Sequence, residues 1–186
     1  MAASRHHESP RRLLTLARAL DARRRMRILY RDADGERTDR EVDALALAWR
    51  GGRWLLAAWC HRRDAFRLFR VERIARAHLL DTRVGEDRAP PGFDARFFSS
   101  VAYLESGARP PVLVTLRLGA PLSRFARAIF PAALLEHPSS GCVLCHLRAT
   151  RLTELAMLVI SLGEGAQLVH PADAKAVVER LRSAPP

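Results

Sequence analysis

The residues with most capacity for chemistry in this chain are arginines. From Arg53 to Ile74 the sequence reads RWLLAAWCHRRDAFRLFRVERI, which places His61, Arg63, Arg67, Arg70 and Arg73 among aromatic and aliphatic residues, and Arg40 adds a guanidinium just upstream. A guanidinium offers a planar fork of donors that fits phosphate or carboxylate oxygens, and an imidazole offers a single donor. Contacts of that kind displace counterions, so binding through them weakens with salt. Nearby aromatic rings can stack the bases of a single strand. The competing reading is a solvated face, with weak surface ion pairs to Asp64 and Glu72. Strand alternation limits any single cluster. Phe66, Leu68 and Arg70 share one face and Arg67, Phe69 and Val71 the other, so Arg67 and Arg70 diverge unless a bulge intervenes. Trp54 is expected in the core, and Trp59 in the core or as a stacking platform.

Other motifs carry less. Cys142-Val143-Leu144-Cys145-His146 has the form of a haem attachment sequence, but no export signal precedes it, and in a strand the two cysteines face opposite sides. A zinc site would need further ligands, for which His137 and Cys60 are the candidates. Buried core cysteines are the expectation, with no metal and no cofactor. No glycine-rich phosphate loop, nucleophile elbow or zincin helix occurs. The chain is expected not to be an enzyme; His61 set against a carboxylate in a pocket would reopen that question.

Positioning these residues requires a fold, and 186 residues suffice for one ordinary domain or two small ones. Nearly half the residues are apolar (48%), enough to build a core. The formal net charge is +11, and every basic residue except Lys175 is arginine. Residues 1–83 carry 20 of the 31 basic and 11 of the 20 acidic residues, so the excess lies in the first half, where an anion site would belong. Ser9-Pro10 marks a helix start, with Leu13, Leu16, Ala17 and Leu20 at helical spacing. Short strands follow over Met26–Tyr30, Glu36–Asp43, Ala44–Trp49, Trp54–Cys60 and Phe66–Val71, with an extended Ala75–Leu80. Closely joined strands of this kind suggest a small antiparallel barrel. Residues 84–111 read as a linker with a short helix near Asp94–Ser100. Beyond it, strand Val112–Leu118, helix Pro121–Phe130, strands Leu134–His137 and Cys142–Ala149, helix Leu152–Leu162, strand Ala166–Val169 and helix Pro171–Arg182 spell βαββαβ plus a helix, the ferredoxin-like order.

The first half resembles the WYL domain, a bacterial sensor module named for a Trp-Tyr-Leu triplet. The residues that carry the resemblance are Tyr30 with Gly35, Arg40, Gly52-Arg53-Trp54-Leu55-Leu56, His61-Arg62-Arg63, and Arg67-Leu68-Phe69-Arg70-Val71-Glu72-Arg73-Ile74. Leu55 stands where the family has its name-giving tyrosine, and Ala44 where a proline is common. The C-terminal segment resembles the extension that often follows such domains, through the helix Leu152–Leu162, Gly163 and Leu168-Val169-His170-Pro171. The resemblance implies an α+β protein with an Sm/SH3-like barrel over 13–83 and a ferredoxin-like domain over 112–186, after a disordered tail over 1–12. It implies a regulator that senses a nucleotide or short single-stranded nucleic acid to modulate transcription, with His61, Arg63, Arg67, Arg70, Arg73 and Arg40 as ligand contacts. A winged helix needs about 60–80 residues, and only about a dozen precede the first helix here, so a truncated regulator, a standalone sensor or a separate DNA-binding partner is expected. A homodimer in the cytoplasm, with no membrane partner, completes the reading. The alternative is a protein-interaction module for an acidic partner, with no nucleic-acid ligand.

Overall fold

The computed structural model describes residues 4–85, 89–95, 98, 110–131 and 133–183, with side chains from Pro10 onward. Helix α1 (Ser4–Asp21) precedes a five-stranded sheet of β1 (Arg24–Arg31), β2 (Arg37–Arg50), β3 (Arg53–Cys60), β4 (Ala65–Arg70) and β5 (Ile74–Arg83). The helix begins at Ser4 and runs through Pro10, so it takes in residues expected in the tail and does not start at a Ser9 cap. Pro10 gives no N–H to the turn before it. Leu13, Leu16 and Ala17 are buried at the spacing the sequence implies.

Every ladder of the first sheet is antiparallel, in the order β4-β3-β2-β1-β5. The two strands expected over Glu36–Asp43 and Ala44–Trp49 are one 14-residue strand. No turn residue separates Asp43 from Ala44; instead the β2–β3 register shifts between Ala44 and Ala46, leaving Leu45 as a bulge. Before the bulge Val42 and Ala44 pair with Cys60 and Ala58; after it Leu47 and Trp49 pair with Leu56 and Trp54. Core-facing positions therefore change from even to odd numbers within a single strand. The β2–β3 turn uses Gly51 and Gly52 at φ 56° and 74°, the left-handed pair that a two-residue hairpin requires. Strands β4 and β5 lie at opposite edges, yet only the 3₁₀ turn Val71–Arg73 joins them, so the sheet is strongly curled. Among the described residues no ladder links β4 to β5.

The second sheet comprises β6 (Val112–Leu118), β7 (Leu134–Ser139), β8 (Cys142–Ala149) and β9 (Ala166–His170), in the order β7-β8-β6-β9 with antiparallel ladders. A 3₁₀ turn (Leu122–Phe125) and α2 (Ala126–Ile129) connect β6 to β7, α3 (Leu152–Ser161) connects β8 to β9, and α4 (Ala172–Ser183) closes the chain. Val114, Leu116 and Leu118 of β6 alternate into the core against Cys145 and Leu147 of β8 and Leu158 of α3. The buried residues of both halves form one continuous core, and α1 packs against the first sheet and also against α2 and α3. Of the linker helix expected near Asp94–Ser100, Ala95 and Phe98 are helical, and the rest lies outside the described residues. The linker rests on the first sheet: Phe93 contacts Phe66 of β4 at a ring separation of 5.1 Å and Phe98 at 5.6 Å, and Arg50 Nη2 donates to the Phe98 carbonyl at 2.8 Å. Among the described residues no helix is long and apolar enough to cross a membrane.

Candidate anion-binding site

Alternation on β2 and β4 decides where the guanidinium groups go. Arg40 precedes the bulge and lies on the face of Val42, opposite Ile28 of β1. It is half-buried, and three neighbours fix it. Its Nε donates to Thr38 Oγ1 at 2.9 Å, and its guanidinium carbon lies 5.8 Å from the Tyr30 ring centre and 6.0 Å from that of Phe69. Those rings meet edge to face at 5.0 Å. The Tyr30 hydroxyl accepts the Arg70 backbone N–H at 3.4 Å, and this ties β1 to β4 across the curl of the sheet. Arg40 Nη1 lies 4.0 Å from Cys60 Sγ. The cation thus sits against two aromatic π-faces, an arrangement that stabilises it where water is partly excluded.

Arg67 pairs with Ala58 on β3 and shares its face with Phe69, so it is on the Arg40 side of the sheet, and it is exposed. Arg70 pairs with Leu55 on the opposite face, also exposed, and the β3–β4 ladder carries no bulge that would bring it round. Leu55, at the family's tyrosine position, therefore lies away from Arg40, so losing that hydroxyl leaves the Arg40 face unchanged. Arg63 is exposed on the turn after β3, where its N–H bonds the Cys60 carbonyl at 3.2 Å, and Arg73 is half-buried in the 3₁₀ turn.

His61 is held from behind. Its Nε2 lies 2.8 Å from Oδ2 of Asp43, which is fully buried, and the other Asp43 oxygen accepts Arg25 Nε at 2.8 Å. Asp43 sits on the face opposite Arg40, one residue before Ala44. With Nε2 committed to Asp43, only Nδ1 can meet a ligand, and it donates to an anion only when the ring is an imidazolium. Among the described residues no hydroxyl or thiol bonds the ring, so the carboxylate orients an imidazole that has no nucleophile beside it. Farther along, Glu41 accepts Arg27 Nη2 at 2.9 Å; that hydrogen bond holds its carboxyl below the usual glutamate range.

The structure thus joins Arg40 and Arg67 on one face with Tyr30, Thr38 and Phe69, and places His61 with Asp43, and Arg70, on the other. Sequence reasoning missed the Asp43 clamp, because a carboxylate in a polar strand end reads as surface until the register buries it. Cys142 and Cys145 are buried, and burial pushes the Cys145 thiol up to about 12. His146 of the same motif points elsewhere, bonding Thr115 Oγ1 at 3.1 Å and Glu136 Oε2 at 3.3 Å.

The WYL domain model matches residues 11–79 and the WCX domain model residues 110–184. Among solved structures, the chain is similar to proteasome accessory factor B/C (PafBC) of Arthrobacter aurescens, with 24% identity over 92% of this chain and 26% of that chain and a TM-score of 0.44. It is also similar to a CRISPR Cas-related protein, with 11% identity over 95% of this chain and 51% of that chain and a TM-score of 0.36. The chain therefore spans about a quarter and about half of those two chains. It belongs to the WYL-domain family, with a WYL domain followed by a WCX domain as its C-terminal extension.

Proposed function

We propose that the chain is a ligand-sensing regulator of the WYL type that binds a nucleotide or short single-stranded nucleic acid to modulate transcription. The observation that carries this reading is Arg40, held between Tyr30 and Phe69 by Thr38 on the face that also presents Arg67. A guanidinium fixed in advance loses little freedom when an anion binds, so more of the contact energy becomes affinity. Arg40 and Arg67 are the primary phosphate contacts. Arg63 extends the site at the neighbouring turn, while His61 and Arg70 on the other face, with Arg73, meet a strand that continues around the edge of the sheet. We read the first sheet as an Sm/SH3-like barrel, because its edges are joined by three residues. We read the second as ferredoxin-like, because β8 inserts between β6 and β7 in an antiparallel order. In this reading the second domain dimerises and passes the bound state to a separate DNA-binding partner, which requires the ligand to prefer one of two conformations. No catalytic step is assigned.

One observation favours the rival reading: β4 is an edge strand flanked by the exposed Arg67 and Arg70, which suits addition of an extended acidic peptide. The test is fluorescence anisotropy of short single-stranded DNA and RNA at two salt concentrations, with Arg40→Ala, Arg63→Ala and Arg67→Ala beside the wild type. Salt-sensitive binding lost in Arg40→Ala and Arg67→Ala is expected. Absent binding, or binding indifferent to all three, would leave the acidic-partner reading ahead.

A further inference from the structure

A second concavity lies where the two halves of the molecule meet. The β2–β3 turn, the 3₁₀ turn after β4, α3 and α4 enclose a cavity of about 610 Å³, and such volumes suit small ligands at domain junctions. Its floor is apolar and aromatic: Trp49 and Trp54 are buried, with ring centres 5.6 Å apart in an edge-on contact. Trp54 Nε1 donates to Ser161 Oγ at 2.9 Å, so those floor groups satisfy each other across the junction. Met157 and Leu181 line the same cavity and remain 41% and 37% exposed. Large apolar side chains left open in a concave site favour an apolar occupant. Two charged residues, Arg53 and Glu72, also line it; both are exposed, and neither is in an ion pair among the described residues.

We propose that this cavity binds a small aromatic molecule carrying one negative charge. Its ring lies against Trp49, Trp54 and Met157, and its anionic group meets Arg53. Glu72 in the same lining offsets the charge of Arg53, so a polyanion of the kind assigned to the Arg40 face gains little here, whereas an apolar ring with a single anionic group can place that group on Arg53. The lining comes from both domains, so a bound molecule touches both at once.

The test uses anilinonaphthalene sulfonate, an aromatic monoanion, with the full chain. Saturable binding is expected, with energy transfer from the tryptophans to the probe. Met157→Glu, at an exposed position, is expected to weaken binding about tenfold by placing charge on the apolar wall. Arg53→Gln is expected to weaken it several-fold, and Leu134→Ser, on an exposed residue of β7, to leave it unchanged. A single-stranded oligonucleotide should not displace the probe, and Arg67→Ala should not affect it, so this site and the Arg40 face succeed or fail separately. The proposal is overturned by absent saturable emission, by binding that survives both cavity substitutions or falls with Leu134→Ser, or by displacement with oligonucleotide.

Discussion

Asp43→Ala tests whether the buried carboxylate anchors the outer face of β2. Asp43 is fully buried and accepts from Arg25 Nε and lies against His61 Nε2, each at 2.8 Å. Alanine removes both partners at once. Truncating one side of a sealed ion pair costs about 3–5 kcal/mol, and a hydrogen bond to a charged group is worth about 1.5–3 kcal/mol. Here the side chains of Arg25 and His61 are each 21% exposed, so both recover part of their hydration after truncation. Allowing for that, the expected loss is about 2–4 kcal/mol, a large share of the roughly 5–15 kcal/mol that holds a typical domain. Asp43→Asn keeps the shape and one carbonyl acceptor for Arg25, so it should lose about half as much. The assay is urea unfolding followed by tryptophan fluorescence. The midpoint should fall while the slope stays constant, because the surface exposed on unfolding is unchanged. A loss below about 0.5 kcal/mol, within the range of ordinary surface substitutions, would refute the anchoring argument. So would an asparagine variant less stable than the alanine one.

Three further outcomes are expected. Ser161→Ala removes the acceptor of Trp54 Nε1 and should lower stability by about 1 kcal/mol in the same unfolding assay; no change would mean the bond across the junction carries no weight. The buried cysteines should resist iodoacetamide in the native state, because Cys145, pushed up to about 12, holds almost no thiolate near neutral pH; mass spectrometry showing rapid native labelling of Cys145 would contradict its placement. The Glu41 carboxyl is held low chiefly by its hydrogen bond to Arg27, so its contribution to stability is complete above its ordinary value of 4.5 and fades as pH falls through the lowered one. Glu41→Gln should therefore lower stability somewhat above that ordinary value, and its profile should converge on the wild type as pH falls through the lowered one, in the same unfolding assay.

Most strands and helices were legible because their signals are local. Val112–Leu118 alternates, Leu152–Leu162 repeats at helical spacing, and Gly51-Gly52 announces a tight hairpin. The opposing faces of Arg67 and Arg70 also followed from period two alone. What remained hidden depends on register between distant strands. The single β2 strand was read as two although no glycine or proline divides it, and the bulge at Leu45 that switches its inward positions shows only in the pairing with β3. The Arg25–Asp43–His61 group needed β1, β2 and the turn after β3 brought together, which no spacing along the chain reveals. The Tyr30–Phe69 clasp on Arg40 likewise joins residues from the first and fourth strands.

The bulge at Leu45 also bears on how the chain tolerates insertion and deletion. β2 is effectively written in two reading frames, with Arg40, Val42 and Ala44 set in one and Leu47 and Trp49 in the other. Leu45 is only half-buried, so its identity matters little to the core. Removing it would fuse the frames into one regular ladder: Ala44 would still face Ala58 and Ala46 would still face Ala57, so Leu47 and Trp49 would keep their inward positions against Leu56 and Trp54. A one-residue gap at this position between related chains should therefore need no compensating insertion nearby, as with gaps in the Asp32–Gly35 turn.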